Sequence, residues 1–341
     1  LRGDGDNQVT LGSTVEAGTS GLTVQGADQS NAASGDTIDA GAMSEAVTIR
    51  GGAGADQISG GTGSDTLEGG GGDDVFVYTD GAELENDTRV DGGAGDDTLR
   101  FTGPDASIAD AAFSVVAADS IEVIELAGAA GSPALTLGVN AAAATINLTV
   151  EGADQTSPGS GDTIDLTNVA EAVTVNAGSG DDLVTGGGSG DTISGGAGDD
   201  VLSGGAGDDA INGGTGDDQI RGGAGSDALA GGAGDDLYLF SSGDVGATET
   251  LTDNAGTTTL SSAGSGTSVD FTNLADENGA SLDQVDRILI DGGQAVTFSG
   301  AQLDAEDIKI NASSSTPSTL NVQVSDGATR DFSSLQFTAF D

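Results

Sequence analysis

The amino-acid sequence predicts an all-β protein in which parallel strands stack into tandem β-rolls, a form of β-helix or solenoid, joined by β-rich connectors. The first observation is a nine-residue period. Eleven units of the form G-G-x-G-x-D-x-U-x, where U is large and apolar, occupy residues 51–77, 92–100 and 177–239. The second observation is a longer period. Residues 9–77 align without gaps with residues 135–203, and the two segments are identical at 35 of 69 positions.

Each nonapeptide predicts one turn and one short strand. The Gly-rich first six residues suit a turn that needs positive φ and close backbone approach. The remaining x-U-x suits a short strand with one side chain pointing inward. Two units then close a coil of 18 residues, and successive coils stack about 4.8 Å apart. The expected inward residues are Ile58, Leu67, Phe76, Val184, Ile193, Leu202, Ile211, Ile220, Leu229 and Tyr238.

The sixth position of every nonapeptide is Asp, and these residues should stack on the edges of the coils. Carboxylates one strand spacing apart repel by roughly 1 kcal/mol per pair even in a water-like dielectric. Ca²⁺ between two coils would reverse this, because it takes one Asp from each coil together with loop carbonyl oxygens. A flexible linker, the alternative, needs neither this phase nor a fixed apolar position. The predicted Ca²⁺ ligands are Asp56, Asp65, Asp74, Asp97, Asp182, Asp191, Asp200, Asp209, Asp218, Asp227 and Asp236, with Asp36 and Asp162 as additional ligands at the N-terminal ends of the rolls.

These nonapeptides resemble the RTX (repeats-in-toxin, hemolysin-type) calcium-binding motif, which covers 99 of the 341 residues. The resemblance implies a parallel β-helix with Ca²⁺ at the sixth-position Asp residues. It also implies a bacterial protein exported by type I secretion, unfolded where calcium is scarce and folded outside the cell. Ala177 and Ser189 replace the first and fourth Gly of their units, and both substitutions leave the Asp in phase.

The two periods together divide the chain into four predicted segments. They are a first RTX β-roll module at 1–77, a β connector with one isolated repeat at 78–134, a second RTX β-roll module at 135–240, and a C-terminal β region at 241–341 that starts a third module. The chain therefore resembles a piece of a longer tandem array. Bulky side chains such as Tyr78 and Phe240 follow the repeats, and we expect them to cap the open apolar ends of the rolls.

Composition excludes several classes of function. The chain has no His, Cys or Trp, and 56 acidic residues against eight basic ones give a net charge of −48. Ser-His-Asp and Cys-dependent catalysis and thiolate or imidazole metal sites are thereby excluded. Nucleic acid is disfavoured as a partner because few cations exist to neutralise phosphates. Direct membrane insertion is disfavoured because no apolar run approaches about 18 residues. We expect no enzymatic activity.

Three functions remain open. The first is a calcium-dependent structural protein of a bacterial cell surface, secreted and then self-assembling as a surface layer or extracellular filament. Its partners would be further copies joined by calcium-bridged contacts, with a cell-surface polysaccharide anchor outside this chain. The second is the stalk of a large RTX adhesin. The third is the C-terminal secretion and folding region of a secreted RTX enzyme. Because modules repeat in tandem, the first two are favoured over the third.

Overall fold

The computed structural model of the chain comprises two compact units, Leu1–Val169 and Ala170–Asp341. The structure describes residues 7–12, 22–26, 34–117, 120–128, 131–138, 140–141, 145–152, 160–246, 249–253, 255–262, 268–271, 274–276, 285–290, 295–299, 309–312, 319–323 and 336–339. Regular structure in these ranges is almost entirely β-strand, and the paired strands are parallel. The predicted all-β fold of stacked parallel strands is confirmed.

The first unit is a β-solenoid. Its strands are β1 (Gln8–Thr10), β2 (Leu22–Gln25), β3 (Thr37–Asp39), β4 (Val47–Ala53), β5 (Gln57–Ser59), β6 (Thr66–Gly71), β7 (Val75–Tyr78), β8 (Arg89–Ala94), β9 (Thr98–Phe101), β10 (Ser107–Ile108), β11 (Ile121–Leu126), β12 (Ala134–Thr136), β13 (Thr145–Glu151) and β14 (Thr163–Asp165). One sheet contains β1, β3, β5, β7, β9, β11 and β13, a second contains β2, β4, β6 and β8, and a third contains β10, β12 and β14. A short helix α1 (Gly81–Asn86) and a 3₁₀ helix (Asp110–Val115) interrupt the strands.

The second unit repeats this architecture. Its strands are β15 (Thr174–Ser179), β16 (Leu183–Thr185), β17 (Thr192–Ala197), β18 (Val201–Ala206), β19 (Ala210–Thr215), β20 (Gln219–Ala224), β21 (Ala228–Ala233), β22 (Leu237–Phe240), β23 (Thr250–Thr252), β24 (Thr259–Ser262), β25 (Ser268–Asp270), β26 (Ala275–Asp276), β27 (Arg287–Ile290), β28 (Ala295–Ser299), β29 (Lys309–Ala312), β30 (Thr319–Gln323) and β31 (Gln336–Ala339). The alternating strands β15, β17, β19, β21, β23 and β26 form one sheet, and β16, β18, β20, β22, β24, β27, β29 and β31 form the other main sheet. Strands β25, β28 and β30 form a third, smaller sheet.

Most strands of the repeats are longer than the sequence predicted, although β5 and β16 have the predicted three residues. In β17 the strand covers six residues, because the first three residues of the next nonapeptide continue the x-U-x triplet. Gly196, at the second position, pairs with Gly214 of the following coil, and its φ of +113° is one that only glycine adopts readily. The six-residue turn is therefore wrong for these coils. Only positions four to six form the turn.

The core is the narrow apolar column that the period predicted. All ten expected inward residues are buried, with at most 2 % exposure. Each apolar residue lies against its counterpart one coil away, as Ile193 does against Ile211. A core of this width buries little apolar area per ordered residue, so side-chain burial contributes only part of the stability.

The bulky aromatic residues lie between coils and do not cap them. Tyr78 pairs with Phe101 of the next coil, and their rings stack at 5.9 Å. In the second unit the ring of Phe271 lies 5.2 Å from that of Phe240 and 4.9 Å from that of Phe298. The capping prediction is wrong, because the chain that follows each block of repeats adds further strands to the same sheets.

The predicted connector and the predicted C-terminal region extend each stack with longer coils. Strands β8 and β9, which lie in the predicted connector 78–134, pair with β6 and β7 respectively. Strand β24 likewise pairs with β22 in the second unit. The four-segment division made from the sequence stays a prediction. No helix in the described part of the chain is long and apolar enough to cross a membrane.

Candidate metal centre

The sixth-position carboxylates form hydrogen-bonded columns along the edges of the coils. In the second unit, Asp200 N–H donates to Asp218 Oδ1 at 2.9 Å, and Asp218 N–H donates to Asp236 Oδ1 at 3.0 Å. Asp182 N–H makes the same bond to Asp200 Oδ1 at 2.8 Å. Each carboxylate thus fixes the backbone of the preceding coil. The predicted stacking on this edge is confirmed.

The opposite edge of the second unit carries a second column. Asp191 N–H donates to Asp209 Oδ1 at 2.7 Å, and Asp209 N–H donates to Asp227 Oδ1 at 2.9 Å. Asp191 Oδ1 in turn accepts from Val173 N–H at 2.8 Å. Here too the predicted stacking is confirmed.

In the first unit one column joins four of the predicted ligands. Asp36 N–H donates to Asp56 Oδ1 at 2.5 Å, Asp56 N–H to Asp74 Oδ1 at 2.8 Å, and Asp74 N–H to Asp97 Oδ1 at 2.8 Å. The isolated repeat at 92–100 therefore belongs to the same stack as the preceding block. Asp162 is 1 % exposed and directly precedes β14.

The remaining carboxylate of the first unit, Asp65, lies on another sheet edge. Its Oδ1 accepts from Val47 N–H at 2.7 Å, and its own N–H donates to Asp87 Oδ1 at 3.0 Å. Strand β6, which starts at Thr66, places Asp65 at this edge.

The second oxygen of most of these carboxylates is buried without a hydrogen-bond partner among the described residues. This holds for Oδ2 of Asp56, Asp65, Asp74, Asp97, Asp200, Asp209, Asp218, Asp227 and Asp236. Asp191 differs, since its Oδ2 accepts from Gly187 N–H at 2.8 Å. A buried carboxylate oxygen without a donor costs several kcal/mol when ionised, so these atoms require a cation or a proton.

Each unpartnered oxygen lies beside the first glycine of its own nonapeptide. A Cβ added to Gly213 would lie 2.2 Å from Asp218 Oδ2 and 2.6 Å from the carbonyl oxygen of Gly231. The same arrangement recurs at Gly69 in the first unit. Glycine is required at this position to leave the space open. That space is bordered by a carboxylate and a carbonyl oxygen, which are both Ca²⁺ ligand types.

Burial raises the pKa of these carboxyl groups. For Asp218 it raises the pKa from 3.8 to about 7; the hydrogen bond from Asp200 N–H opposes the rise, and the neighbouring charges of Asp200 and Asp236 add to it. Burial likewise raises the pKa of Asp74 and Asp209 to about 7. In the absence of a cation, protons therefore occupy part of the columns near neutral pH.

Three further acids belong to the columns although they were not predicted. Glu249 accepts from Asp227 N–H at 3.1 Å, Glu122 accepts from Asp97 N–H at 2.8 Å, and Asp87 accepts from Asp65 N–H. Their coils are longer than 18 residues, with separations of 22, 25 and 22 residues along the chain. A search for an acid shortly before a strand triplet, without the fixed spacing, would have found them.

The fifth-position acids form a second, exposed ladder. Asp217 N–H donates to Asp199 Oδ1 at 2.8 Å, and Asp235 N–H donates to Asp217 Oδ1 at 2.8 Å. These hydrogen bonds run in the opposite direction to those of the buried columns, because here the accepting carboxylate belongs to the earlier coil. The fifth position thus links the loops of adjacent coils from the solvent side.

The donor set fits Ca²⁺. Every candidate ligand is a carboxylate or carbonyl oxygen, as a hard cation prefers. Within the described ranges no group of three or more acidic side chains could hold a metal by itself. A Ca²⁺ ion held by carboxylates from adjacent coils would need further oxygen ligands, which backbone carbonyl groups and water can supply.

Comparison with protein families agrees with this chemistry. The RTX calcium-binding nonapeptide repeat matches in four copies, at residues 48–82, 86–100, 176–211 and 203–238. The chain therefore carries RTX calcium-binding repeats, and the resemblance seen in the nonapeptides is confirmed. Ca²⁺ is the ion that these motifs bind, and such repeats are typical of secreted proteins. Comparisons with curated proteins and with solved structures gave no match.

Proposed function

We propose that this chain is a calcium-dependent structural protein of a bacterial cell surface, part of a surface layer or an extracellular filament, which folds and assembles on calcium binding after secretion. The observation that carries the proposal is the set of carboxylate columns. Each column brings negative charges together at every coil and leaves most of their second oxygens buried without a partner in the described ranges. Such columns are compatible with a folded, ionised chain only when a cation is present.

Pairs of carboxylates on successive coils would hold the cation. Asp200 with Asp218 and Asp209 with Asp227 are such pairs, and the first-position glycines leave carbonyl oxygens beside them. Bound Ca²⁺ supplies the positive charge that cancels repulsion within a column. The residues of the chain position the ligands: each Oδ1 is fixed by a backbone N–H, so the second oxygen is held in place before binding.

The assembly part of the proposal is supported by the surface of the coils. The fifth-position ladder, including Asp199, Asp217 and Asp235, presents exposed carboxylates at regular intervals. Regularly spaced acids on two copies would repel unless calcium bridged them, which makes copies of this chain the proposed partners. We propose a structural rather than a catalytic role, with any polysaccharide anchor outside this chain. An adhesin stalk and the C-terminal region of a secreted enzyme are the competing functions.

Calcium titration of the purified chain tests folding and assembly together. Far-ultraviolet circular dichroism should show strand signal growing as calcium is added to chelator-treated protein, since the narrow core does not stabilise the charged coils alone. Sedimentation velocity and negative-stain microscopy at millimolar calcium should then show regular assemblies.

Two results would contradict the proposal separately. An unchanged strand signal in excess chelator would overturn calcium-dependent folding. Protein that folds on calcium addition but stays monomeric would overturn the assembly part and favour the adhesin stalk or the enzyme region.

A further inference from the structure

We infer that Glu249, which lies outside the nonapeptide repeats, is a further Ca²⁺ ligand and forms a site with Asp227 at the C-terminal end of one carboxylate column of the second unit. This inference rests on the proposed calcium-dependent function. It adds a site whose sequence does not fit the repeat.

Strand pairing places Glu249 at the sixth position of its coil. Thr250 pairs with Ala228 and Leu251 pairs with Leu229, so the residue before Thr250 lies opposite Asp227. The two acids are 22 residues apart instead of 18. A search that uses a fixed period of 18 residues therefore does not align Glu249 with Asp227.

The hydrogen bonds repeat those of the buried columns. Asp227 N–H donates to Glu249 Oε2 at 3.1 Å, as Asp209 N–H donates to Asp227 Oδ1 at 2.9 Å. Gly246 N–H also approaches the same Glu249 oxygen, at 3.4 Å. One oxygen of Glu249 is therefore fixed by backbone donors, which leaves the other directed into the interior.

The other oxygen of Glu249 has no partner among the residues that the structure describes. Glu249 is 0 % exposed, and its Oε1 is buried without a hydrogen bond among the described residues, as is Asp227 Oδ2. Arg221 pairs with Asp244, its Nε lying 3.1 Å from Oδ2. None of the salt bridges in the described part of the chain involves Glu249. Two buried carboxylates on adjacent coils without a positive charge fit a divalent cation.

The first unit offers a partial parallel. Glu122 occupies the sixth position after Asp97 and accepts its N–H at 2.8 Å. Glu122 is only half-buried, so solvent can reach its carboxylate. Full enclosure of the carboxylate distinguishes Glu249.

A protonated glutamic acid that merely ends the column is the rival explanation. Burial, with the charges of Asp227 and Asp244, raises the pKa of Glu249 to about 8, against the hydrogen bonds it accepts. A neutral acid would need no cation. Glutamine reproduces its shape and hydrogen bonding, so the two explanations predict different results for Glu249→Gln.

The test is the calcium stoichiometry of the full chain, measured by equilibrium dialysis and isothermal titration calorimetry. Glu249→Gln should bind one calcium fewer per chain than the wild type, and its thermal midpoint at saturating calcium should fall. Glu171→Gln, the same change at an exposed acid of the second unit that lies outside both ladders, should keep the wild-type count. Glu249→Asp keeps the charge on a shorter side chain and should keep the count with weaker affinity.

The outcomes distinguish the inference from the proposed function. Wild-type stoichiometry and affinity in Glu249→Gln, with a more stable calcium-free state, would establish the neutral acid and overturn the inference. Equal loss of folding in Glu249→Gln and Glu249→Asp would also overturn it, because charge would then be irrelevant. Failure of the wild type itself to bind calcium would overturn the proposed function.

Discussion

At the scale of the residue, each sixth-position aspartate uses its two oxygens differently. Asp218 Oδ1 accepts the N–H of Asp200 and so sets the spacing between two coils. Asp218 Oδ2 is buried beside Gly213 and has no hydrogen-bond donor within the described part of the chain. Asparagine preserves the first function and removes the charge required for the second.

We therefore expect Asp218→Asn to weaken calcium binding by roughly tenfold or more, or about 1.4 kcal/mol per affected site. The physical reason is loss of a charged ligand with little change of shape. Calorimetric calcium titration of the full chain measures the effect. Asp105→Asn is the matched control, because Asp105 is exposed, lies outside both ladders, and its Oδ1 accepts the N–H of Ser132 at 3.2 Å, a bond that asparagine can also accept. Equal losses in the two variants would contradict the ligand assignment.

The sequence predicted the residues that obey the fixed period and missed those that do not. Phase alone identified Ile193 and Ile211 as core and placed Asp200 against Asp218. Glu249 was missed because a four-residue longer coil separates it from Asp227. The role of Asp199 was missed because its bond to Asp217 N–H depends on the geometry of the turn, which the variable fifth position does not reveal.

At the scale of the element, most repeats form a six-residue strand that contains the first two glycines of the next nonapeptide. Strand β6 contains three consecutive glycines with different surroundings. A Cβ on Gly69 would lie 2.2 Å from Asp74 Oδ2 and 2.6 Å from the Gly92 carbonyl oxygen. A Cβ on Gly71 would meet nothing within 4 Å. The sequence shows glycine at both positions, and only the packing of the stacked coils shows that position 69 requires glycine.

Gly69→Ala should therefore destabilise the calcium-bound fold by about 1–3 kcal/mol, as overpacking does, and weaken calcium binding because the methyl group fills the space beside Asp74. Gly71→Ala should be neutral or stabilise by about 0.4–1 kcal/mol, since it lowers the entropy of the unfolded chain. Chemical denaturation at saturating calcium, with calorimetry for affinity, compares the two. Similar destabilisation by both variants would show that the first-position glycine has no special role.

At the scale of the whole molecule, protons and calcium compete for the same columns. The net charge of −48 makes a fully ionised, cation-free chain unfavourable to compact. Burial raises the pKa of Asp74, Asp209 and Asp218 from 3.8 to about 7. Without calcium the folded chain therefore binds more protons near neutral pH than the unfolded chain does. Stability of the calcium-free fold is then greatest below about pH 4 and is lost as the pH rises through about 7.

Calcium binding should depend on pH in the opposite sense, because ligands must lose their protons before they can bind the ion. In calcium-free buffer, strand signal and thermal midpoint should rise as the pH falls from about 8 to about 5, the range that spans the raised pKa values. The calcium concentration required for half-saturation of the folded protein should rise over the same change, because protons and calcium compete for the same oxygens. Circular dichroism in buffers stripped of calcium with a chelating resin measures the first response, and calorimetric calcium titration measures the second. The double variant Asp209→Asn, Asp218→Asn should show a weaker pH dependence of both stability and calcium affinity, since it lacks two of the groups that titrate. A calcium-free fold that loses stability on acidification would show instead that the columns stay ionised without the metal, and calcium could not then be the counter-charge that permits folding.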